Sequence, residues 1–558
     1  MPGMNTPHAE RIILIGPTGS GKTTVAAALA KLLGWPCLDT DALIERRAGL
    51  AIPEIFAREG EPRFRELEAE ALVEALAAQR AVIATGAGIV EHAENLAAMR
   101  AAGWVVALSI SVRAALRRML AAVPAGANPA DARPMLAGGD PLARLRSLDA
   151  RRRDAYAQAD ATYATDAAAP DQVAARTAAD LVARGLLPPD GAEAQTIAVR
   201  SSAGDYDVIV GWGALAALGG HLRALGLAPR VHVIADETVA ALYRPSLSAT
   251  LEAAGFAAEW YVFAAGEASK SRAQWARLTD LLAERRAERG EAVIALGGGV
   301  AGDLAGFVAA TYLRGLPLIQ VPTSLLAQVD AAIGGKVAID HPRGKNLIGA
   351  FYPPRLVVAD PAALLTLPER QRIEGWAEVI KHGVALDADY FALLEAHAGD
   401  LLALRPRETT EAVAHSAALK AGIVSRDERE SGPRMLLNYG HTIAHAIETV
   451  AGYGVWLHGE AVAMGMAAEA RLAQRMGLCD AALVARQDAL LARFGLPIRL
   501  PPELSAEALM RAALWDKKVR GGRVRWALPI GLGRSEIVDD VPDEAVRDVL
   551  LACGTEAS

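Results

Sequence analysis

The sequence predicts an α/β protein with two separate parallel-sheet regions and a mainly helical final third. Three observations predict this class. Apolar strand-like runs alternate with Ala- and Leu-rich stretches over residues 11–186, which is typical of βαβ units in a parallel sheet. The segment "LLPPDGAEAQ" then interrupts both periodicities. A second alternating region follows it, and helical periodicity dominates from about residue 368 onward.

The individual elements support a division into domains. The first region has strand-like runs at 11–15, 81–84 and 104–110. After the break, "TIAVRSSAGDYDVIVG" alternates like a β-hairpin, and "RVHVIADE" and "AVIALGGG" are typical of buried parallel strands. At roughly 150 residues per domain, the length suits three or four domains. We therefore expect domains at 1–186, 196–367 and 368–558, with a linker at 187–195.

Composition narrows the classes of partner and compartment. The net charge of -7 gives no basis for binding nucleic acid or an anionic membrane. No run of 18 residues is apolar and uncharged, and the N-terminal residues have no basic lead into an apolar segment. We therefore expect a cytoplasmic protein that binds small molecules. Cys37, Cys479 and Cys553 lack the CxxC spacing of a thiolate zinc site, so a metal ion would need His and carboxylate ligands.

Lysine is rare in this chain. Of the 58 basic residues, nine are Lys and 49 are Arg. A coding bias towards Arg would explain this ratio at solvated positions, which accept either residue. Sites that need a compact ammonium group would resist the substitution, because Arg is planar and always charged. The remaining lysines are therefore candidates for function.

A phosphate-binding loop is indicated in the first region. In "RIILIGPTGSGKTT" the pattern GxxxxGK[ST] spans Gly16 to Thr23 between a strand-like run and a helical stretch. Backbone N–H groups of such a loop bind phosphates, the Lys contacts the terminal phosphates and the Thr hydroxyl binds Mg²⁺. We expect ATP as co-substrate and Mg²⁺ as cofactor. The predicted ATP contacts are Gly19, Ser20, Gly21, Lys22, Thr23 and Thr24.

Charged residues after this loop suit a small acidic alcohol as substrate. "CLDTDALIE" places Asp39 and Asp41 at the end of the second strand, on one side if the backbone is extended. One would support the Mg²⁺, indirectly, and the other would hydrogen-bond a substrate hydroxyl. Arg65 in "EGEPRFRE" and Arg152 in "DARRRDAY" suit a substrate carboxylate. Each of these residues alone would be interpreted as a surface charge.

Together and in this order, these motifs resemble shikimate kinase over about residues 11–185. The resemblance implies a P-loop kinase fold in which Asp41, Arg65 and Arg152 bind shikimate and Lys22 and Asp41 are catalytic. "ARPML" resembles the family's lid, whose Arg would be Arg133. Two departures stand out. The family's GGG is "TGAG" here, which places Ala87 against the substrate, and Asp154 replaces a Pro.

The second region has a glycine-rich loop surrounded by charged residues. "ALGGGVAGDLAGF" follows a strand but is not the GxGxxG of a Rossmann unit, so alone it is weak evidence. Three of the nine lysines, Lys270, Lys336 and Lys345, lie in nearby Gly-containing loops. That placement favours an anionic ligand over solvated faces.

The helical part contains three histidines within 18 positions, in "NYGHTIAHAIETVAGYGVWLHGE". His441 and His445 are four apart and would share one helix face. Alone, the cluster could be a metal site, an acid/base site or a pair of core histidines, since HExxH is absent. Glu378 with His441 and His458 forms a two-His, one-carboxylate set that suits catalytic zinc with an open position.

These segments in order, over about residues 196–540, resemble 3-dehydroquinate synthase. The resemblance implies an NAD-binding α/β domain, a helical domain that binds Zn²⁺ (or Co²⁺) through Glu378, His441 and His458, and a homodimer. The implied NAD contacts are Glu267, Lys270, Gly299, Val300, Ala301, Gly302, Asp303, Thr323, Ser324, Lys336, Lys345 and Thr366. The implied substrate contacts are Arg314, Asp330, Lys336, Asn346, Lys381, Lys420, Arg434, Asn438, His445 and Lys517, of which Lys381, Lys420, Arg434, Asn438 and His445 would be catalytic.

The resemblance implies a reaction and leaves two alternatives open. The family converts 3-deoxy-D-arabino-heptulosonate 7-phosphate to 3-dehydroquinate and phosphate. Other sugar-phosphate cyclases such as 2-deoxy-scyllo-inosose synthase, and glycerol dehydrogenases, share the architecture. The first region could also be a degenerate, regulatory nucleotide-binding module on an active synthase.

Overall fold

The computed structural model describes residues 9–122, 140–430, 432–519 and 524–554, apart from the side chains of 514–519. The chain divides into two compact units, Met1–Pro188 and Pro189–Ser558. Each unit has its own sheet and core, and each is described by itself.

The first unit has a five-stranded sheet in which every described pairing is parallel. Its strand order is β2-β3-β1-β4-β5, so the strand before the phosphate loop is central. Residues 12–15 and 81–84 are buried, as continuous apolar runs require when helices cover both faces of a sheet. The strands are β1 (Arg11–Ile15), β2 (Cys37–Asp39), β3 (Ala81–Ala84), β4 (Trp104–Ser109) and β5 (Ala161–Ala164).

Helices connect these parallel strands, as crossover connections require. Their apolar sides contribute residues such as Leu43, Ile55, Phe64 and Leu72 to a core against the sheet. The helices are α1 (Lys22–Leu33), α2 (Thr40–Ala48), α3 (Ile52–Arg58), α4 (Gly60–Ala77), α5 (Ala93–Ala102), α6 (Val112–Ala121), α7 (Pro141–Tyr156) and α8 (Pro170–Ala183).

The second unit begins with a seven-stranded sheet of order β6-β7-β14-β11-β10-β8-β9. Its first two strands form an antiparallel hairpin, as predicted, and the remaining described pairings are parallel. The strands are β6 (Gln195–Val199), β7 (Tyr206–Val210), β8 (Arg230–Asp236), β9 (Ala257–Phe263), β10 (Ala292–Gly297), β11 (Leu318–Pro322) and β14 (Leu356–Ala359). The antiparallel ribbon β12 (Lys336–His341) and β13 (Gly344–Phe351) lies between β11 and β14 in sequence.

Helices of the second unit cover this sheet and then form a separate helical layer. Those of the α/β part are α9 (Leu218–Ala224), α10 (Glu237–Ala253), α11 (Arg272–Glu284) and α12 (Gly299–Thr311). Those of the helical part are α13 (Glu369–Leu386), α14 (Ala388–Leu402), α15 (Pro406–Arg426), α16 (His441–Ala451), α17 (His458–Arg475), α18 (Ala481–Arg493), α19 (Ala506–Val519) and α20 (Asp543–Cys553).

The predicted α/β class with a helical final third is confirmed. The sequence analysis missed one feature of the helical part, the antiparallel pair β15 (Trp526–Gly531) and β16 (Arg534–Val538). Such short strands give too little periodicity to be distinguished from loops. Within the described residues, no helix combines the length and apolar character needed to cross a membrane.

Two helices of the second unit approach each other at glycines. A Cβ atom at Gly465 of α17 would lie 2.0 Å from the carbonyl oxygen of Gly440, which immediately precedes α16. Only a residue without a side chain fits there, and the contact sets the position of His441 at the start of α16.

We expect Gly465→Ala to destabilise the second unit by about 1–3 kcal/mol, because the added methyl group must displace α16. Gly422→Ala on α15 is the matched control, since its new Cβ would meet no atom within 4 Å. That change should stabilise the helix by roughly 0.5–1 kcal/mol. Scanning calorimetry of the full-length variants measures both, and wild-type melting of Gly465→Ala would contradict the packing argument.

Candidate active sites

The phosphate loop of the first unit lies at the carboxyl end of the central strand β1. Gly16, Gly19 and Gly21 have φ values of 147°, 82° and 88°, which L side chains rarely adopt, so the loop needs glycine at these positions. Lys22 begins α1 and donates from Nζ to the carbonyls of Gly16 (2.8 Å) and Pro17 (3.2 Å). Burial lowers the pKa of Lys22 to about 8.

The two aspartates after β2 take different backbone positions. Asp39 is the last strand residue and caps α2, with Oδ1 accepting from the backbone N–H of Asp41 at 2.9 Å. Its Oδ2 accepts a hydrogen bond from the hydroxyl of Thr23 at 2.7 Å. The two residues predicted to hold Mg²⁺, Thr23 and Asp39, are therefore in contact. The extended arrangement of Asp39 and Asp41 was wrong, because Asp41 already lies in the first turn of α2. Burial and the charge of Asp39 raise the pKa of Asp41 to about 6.

Asp41 and Arg65 both face the loop that follows β3. A Cβ at Gly86 would lie 2.9 Å from Asp41 Oδ1, and one at Gly88 would lie 2.5 Å from Arg65 Nη1. Ala87, between these glycines, accepts a hydrogen bond from Tyr156 at its carbonyl (3.2 Å). The backbone of Ala87 is therefore tied to α7 through Tyr156.

Both predicted substrate arginines have acidic partners. Arg65 contacts Glu68 (2.7 Å) and Glu61 (3.0 Å), and the buried Arg152 donates from Nε to Glu91 at 2.6 Å. Glu91 was not predicted, because a single acidic residue at this point of the sequence has no distinguishing local signal. Arg133 lies outside the described residues.

A second unpredicted residue of this site is Arg118. Its guanidinium donates to the carbonyl of Gly19 (3.4 Å) and to the hydroxyl of Thr165 (3.4 Å), so a cation from α6 lies beside the phosphate loop. Arg118 is one of three arginines in "VRAALRRML", and nothing in that local pattern singles it out.

The three predicted metal ligands of the second unit come together from three helices. Nε2 of His441 lies 3.4 Å and Nε2 of His458 lies 3.8 Å from Oε1 of Glu378. His441 and His445 share one face of α16, as predicted, with ring centroids 5.6 Å apart. Burial, together with the charge of Lys381, holds the pKa of His441 well below its usual value. A neutral imidazole is the form that binds metal.

Two buried lysines lie against carboxylates beside this cluster. Lys381 forms an ion pair with Glu378 one turn earlier on α13, and Lys420 pairs with Asp330. Burial opposes ionisation of Asp330, yet the charges of Lys420 and Lys381 hold its pKa well below the usual value. Burial lowers the pKa of Lys420. The structure thus brings two cations into the same pocket as the ligand set.

A further anion-binding group forms around Glu430. Its carboxylate accepts from Nδ2 of Asn438 (2.7 Å) and pairs with Lys336, and Arg434 is buried nearby with a hydrogen bond to the carbonyl of Glu428 (2.5 Å). Two predicted substrate residues, Lys336 and Asn438, therefore contact the Glu430 carboxylate, which has no distinguishing local signal in the sequence, and a third, Arg434, lies beside it. The pattern "RDERESG" is typical of an exposed charged loop. Its closeness in sequence to the Arg434 motif is the only signal that would have indicated a role in the site.

The predicted nucleotide residues form two groups. In the first, the buried Lys270 pairs with Asp303 of α12 (2.6 Å), lies 3.8 Å from Glu267 and donates to Asn346 of the β12–β13 ribbon. In the second, Gly299 begins α12 directly after β10, and the backbone N–H of Thr323 after β11 bonds to Gly297 (2.9 Å).

Remaining predicted residues of this second group lie at the same edge of the sheet or beyond it. Ser324 Oγ lies 3.4 Å from a Cβ built at Gly298, and Thr366 is hydrogen-bonded to Tyr243 at 2.9 Å. Val300, Ala301 and Gly302 form the first turn of α12. Arg314 is exposed and has no hydrogen bond or ion pair with any residue that the structure describes, and the side chain of Lys517 lies outside those residues.

Two carboxylates that were not predicted accept backbone N–H groups at the starts of α16 and α17, the helices that begin with His441 and His458. Glu469 of α17 accepts backbone N–H groups of Gly440 (2.6 Å) and Ile443 (3.2 Å), and burial raises its pKa to about 8. Glu374 accepts the N–H of Gly459 at 2.7 Å, next to His458. Both residues read as ordinary helix-face glutamates in the sequence, since their partners lie on other helices.

Comparison with known families identifies both units. Models described as 3-dehydroquinate synthase N-terminal and C-terminal match residues 260–374 and 375–519. The 3-dehydroquinate synthase of Synechocystis sp. (strain ATCC 27184 / PCC 6803 / Kazusa) is 46% identical over 360 residues, 64% of this chain and 99% of that protein. The chain belongs to the 3-dehydroquinate synthase family. A model described as shikimate kinase matches residues 18–182, so a shikimate kinase domain is fused to the synthase, as in a bifunctional shikimate-pathway enzyme.

Two solved structures resemble the synthase part. One is 2-epi-5-epi-valiolone synthase from Streptomyces hygroscopicus subsp. jinggangensis 5008 with NAD⁺ and Zn²⁺ bound, at 30% identity and a TM-score of 0.58, covering 62% of this chain and 96% of that one. The other is 2-deoxy-scyllo-inosose synthase complexed with carbaglucose-6-phosphate, NAD⁺ and Co²⁺, at 26% identity and a TM-score of 0.58, covering 64% and 100%.

The synthase residues fit a divalent cation and a dinucleotide. Oε1 of Glu378 is buried without a hydrogen bond from any described residue, whereas Oε2 pairs with the Lys381 ammonium, and ligand atoms of Glu378, His441 and His458 lie within 4.8 Å of one another. A cation bound to Oε1 and the two histidines would offset the desolvation of that oxygen. The first turn of α12 has no side-chain cap, which leaves its backbone N–H groups to bind a phosphate.

Proposed function

We propose that the chain catalyses two reactions of aromatic biosynthesis, each in its own unit. Residues 1–186 phosphorylate shikimate with ATP. Residues 196–367 bind NAD⁺ and residues 368–558 bind zinc, and together they convert 3-deoxy-D-arabino-heptulosonate 7-phosphate to 3-dehydroquinate and phosphate, with 187–195 as linker. The single observation that most supports the second reaction is the buried Glu378 with two histidines and two lysines around it. We further propose a cytoplasmic homodimer assembled through the synthase unit.

In the kinase unit, each predicted residue has a physical task. Backbone N–H groups of Gly19 to Thr24 and the Lys22 ammonium bind the ATP phosphates, and Thr23 with Asp39 holds Mg²⁺, which offsets phosphate charge. Asp41 accepts the proton of the shikimate hydroxyl. Arg65 and Arg152 bind the shikimate carboxylate. Arg65 releases the exposed Glu61 and binds the substrate carboxylate in its place.

Kinase activity should depend on the charge of Asp41. Because its pKa is raised to about 6, Asp41 is protonated below that pH and cannot accept the hydroxyl proton. We expect kcat/KM for shikimate to fall as pH drops below about 6, as it does when an essential base of the free enzyme titrates. Asp41→Asn should lower activity by about 10²–10⁴ fold. A profile that stays flat to about pH 5 would contradict this role.

Loss of the loop lysine should slow phosphoryl transfer by the first unit. Lys22→Ala removes a charge-assisted contact of about 1.5–3 kcal/mol, so shikimate-dependent ADP formation should fall at least about tenfold. Lys31→Ala on the same helix is the matched control, since Lys31 is exposed and should leave activity unchanged. If wild-type protein forms no ADP with shikimate but still releases phosphate from the heptulosonate, the first unit is a regulatory nucleotide-binding module instead.

In the synthase unit, the ligand set holds the metal while neighbouring cations hold the substrate. Glu378, His441 and His458 would bind Zn²⁺ or Co²⁺, which when bound would supply Lewis acidity towards a substrate hydroxyl, and bound NAD⁺ would supply hydride-transfer chemistry. Lys381, Lys420, Arg434 and Asn438 bind the carboxylate and phosphate of the substrate and stabilise the phosphate charge as it leaves. His445 contacts the phosphate and relays a proton.

The remaining predicted residues complete the synthase site. Backbone N–H groups at the start of α12 bind the dinucleotide pyrophosphate, and the predicted side-chain contacts at Lys270, Asp303, Thr323 and Thr366 place the rest of the cofactor. Arg314, Asp330, Lys336, Asn346 and Lys517 are proposed as substrate contacts in addition.

Substitutions of the two histidines on one face of α16 should have different effects, one on metal binding and the other on catalysis. We expect His441→Ala to lose stoichiometric zinc, because it removes one of three protein ligands. His445→Ala should keep its zinc and lose about 10²–10⁴ fold in turnover, the range for a positioned acid or base. Metal analysis after gel filtration, beside phosphate release, distinguishes the two, and zinc loss in His445→Ala would overturn its assignment.

The activity of a related cyclase is a second candidate, because the two solved structures are named 2-epi-5-epi-valiolone synthase and 2-deoxy-scyllo-inosose synthase. The 46% identity to a 3-dehydroquinate synthase, against 30% and 26% to the two cyclases, favours the heptulosonate. The buried Lys381, Lys420 and Arg434 also suit a substrate that has a carboxylate besides its phosphate. A simple dehydrogenase would accumulate NADH, whereas the synthase regenerates NAD⁺ at every turnover.

A further inference from the structure

The β12–β13 ribbon contacts helix α16 through one lysine. Nζ of Lys345 lies 3.4 Å from Oε1 of Glu448 on α16 and 4.4 Å from the ring centroid of Tyr453, which follows that helix. Glu448 is buried, with its side chain 7% exposed. A buried carboxylate must be paired to be tolerated, so Lys345 stabilises Glu448 and also fixes this end of the ribbon on the helical layer.

The same carboxylate oxygen also faces a metal ligand. Oε1 of Glu448 lies 3.6 Å from Nδ1 of His458, whose Nε2 points to Glu378 at 3.8 Å. One ring nitrogen of His458 is therefore directed to the ligand set and the other to Glu448. Carboxylates in this position fix the orientation of a ligating imidazole and make its free nitrogen a better donor to metal.

We propose that Glu448 is a positioning residue that couples the metal site to the nucleotide site by orienting His458 and fixing Lys345. The inference rests on the function proposed above, in which His458 binds zinc and Lys345 contacts NAD⁺. No catalytic step is assigned to Glu448, since it would act only through His458 and Lys345.

Zinc and NAD⁺ should each favour binding of the other, because Lys345 and His458 share Oε1 of Glu448. When a dinucleotide phosphate attracts Lys345, Glu448 is left with His458 as its stronger partner, and the imidazole is held more firmly towards the metal. When a metal ion draws electrons from His458, its Nδ1–H attracts Glu448 more strongly and releases Lys345 towards the phosphate. Each ligand therefore tightens binding of the other, and linkage requires the two factors to be equal.

The test measures binding rather than turnover. Zinc affinity of full-length metal-free protein is determined by competition with a chromophoric chelator, without and with saturating NAD⁺, and NAD⁺ affinity is determined by calorimetry without and with zinc. In wild-type protein we expect NAD⁺ to tighten zinc about 5–150-fold, the usual range for coupled sites. Glu448→Gln should weaken zinc by about 10–100-fold and reduce the coupling factor to about one.

Two further variants serve as a control and as an independent test of the role of Glu448. Glu460→Gln is the matched control, since Glu460 lies on the same helix as His458 but pairs with the exposed Arg370 at 2.7 Å. It should keep wild-type zinc affinity and coupling. Lys345→Gln removes the cation that competes with His458 for Glu448, so without NAD⁺ it should bind zinc about as tightly as wild-type protein does with NAD⁺, and it should lose the coupling. This result decides the matter if Glu448→Gln does not fold.

Different results would overturn the role of Glu448 and the proposed synthase function. Wild-type coupling in Glu448→Gln or in Lys345→Gln would overturn the role of Glu448 while the synthase reaction stands. A wild-type factor of one, in protein that binds both ligands and forms 3-dehydroquinate, would do the same. Wild-type protein that binds neither zinc nor NAD⁺ would instead overturn the proposed function.

Discussion

The pairing of Glu378 with Lys381 inside the helical layer is the constraint on which the synthase site depends. Both side chains are 1% exposed and lie one turn apart on α13. Burying two charges costs several kcal/mol per ion unless further partners surround them. The surrounding helices supply them, with His441 and His458 on one oxygen of Glu378 and the Lys420–Asp330 pair close by.

The rarity of lysine becomes understandable at these positions. Lys270, Lys381 and Lys420 are among the most buried charged residues that the structure describes, and each lies against a carboxylate. A guanidinium group would not fit these contacts without displacing its neighbours, because it is larger and planar. The exposed Lys31 has no such environment. Burial thus separates these three lysines from a surface on which Arg is sufficient.

Much of the architecture was accessible from the sequence because it depends on local periodicity. Continuous apolar runs predicted the buried strands β1, β3 and β10, and the alternation in "TIAVRSSAGDYDVIVG" predicted the β6–β7 hairpin. The backbone at Asp41 was predicted wrongly, since a helix begins one residue after β2 and capping by Asp39 outweighs any continuation of the strand. The short pair β15–β16 was missed for lack of periodicity.

The sequence by itself determined the fold class, the phosphate loop and the shared face of His441 and His445, because spacing along one element settles each of them. Only the tertiary structure decided which carboxylate meets which cation. Glu430 finds Lys336 across 94 positions, Glu448 lies between Lys345 and His458, and Glu469 caps a helix 29 positions earlier. Such contacts depend on how distant helices and strands pack, and a glutamate on a helix face has the same local pattern whether it meets solvent or a buried partner.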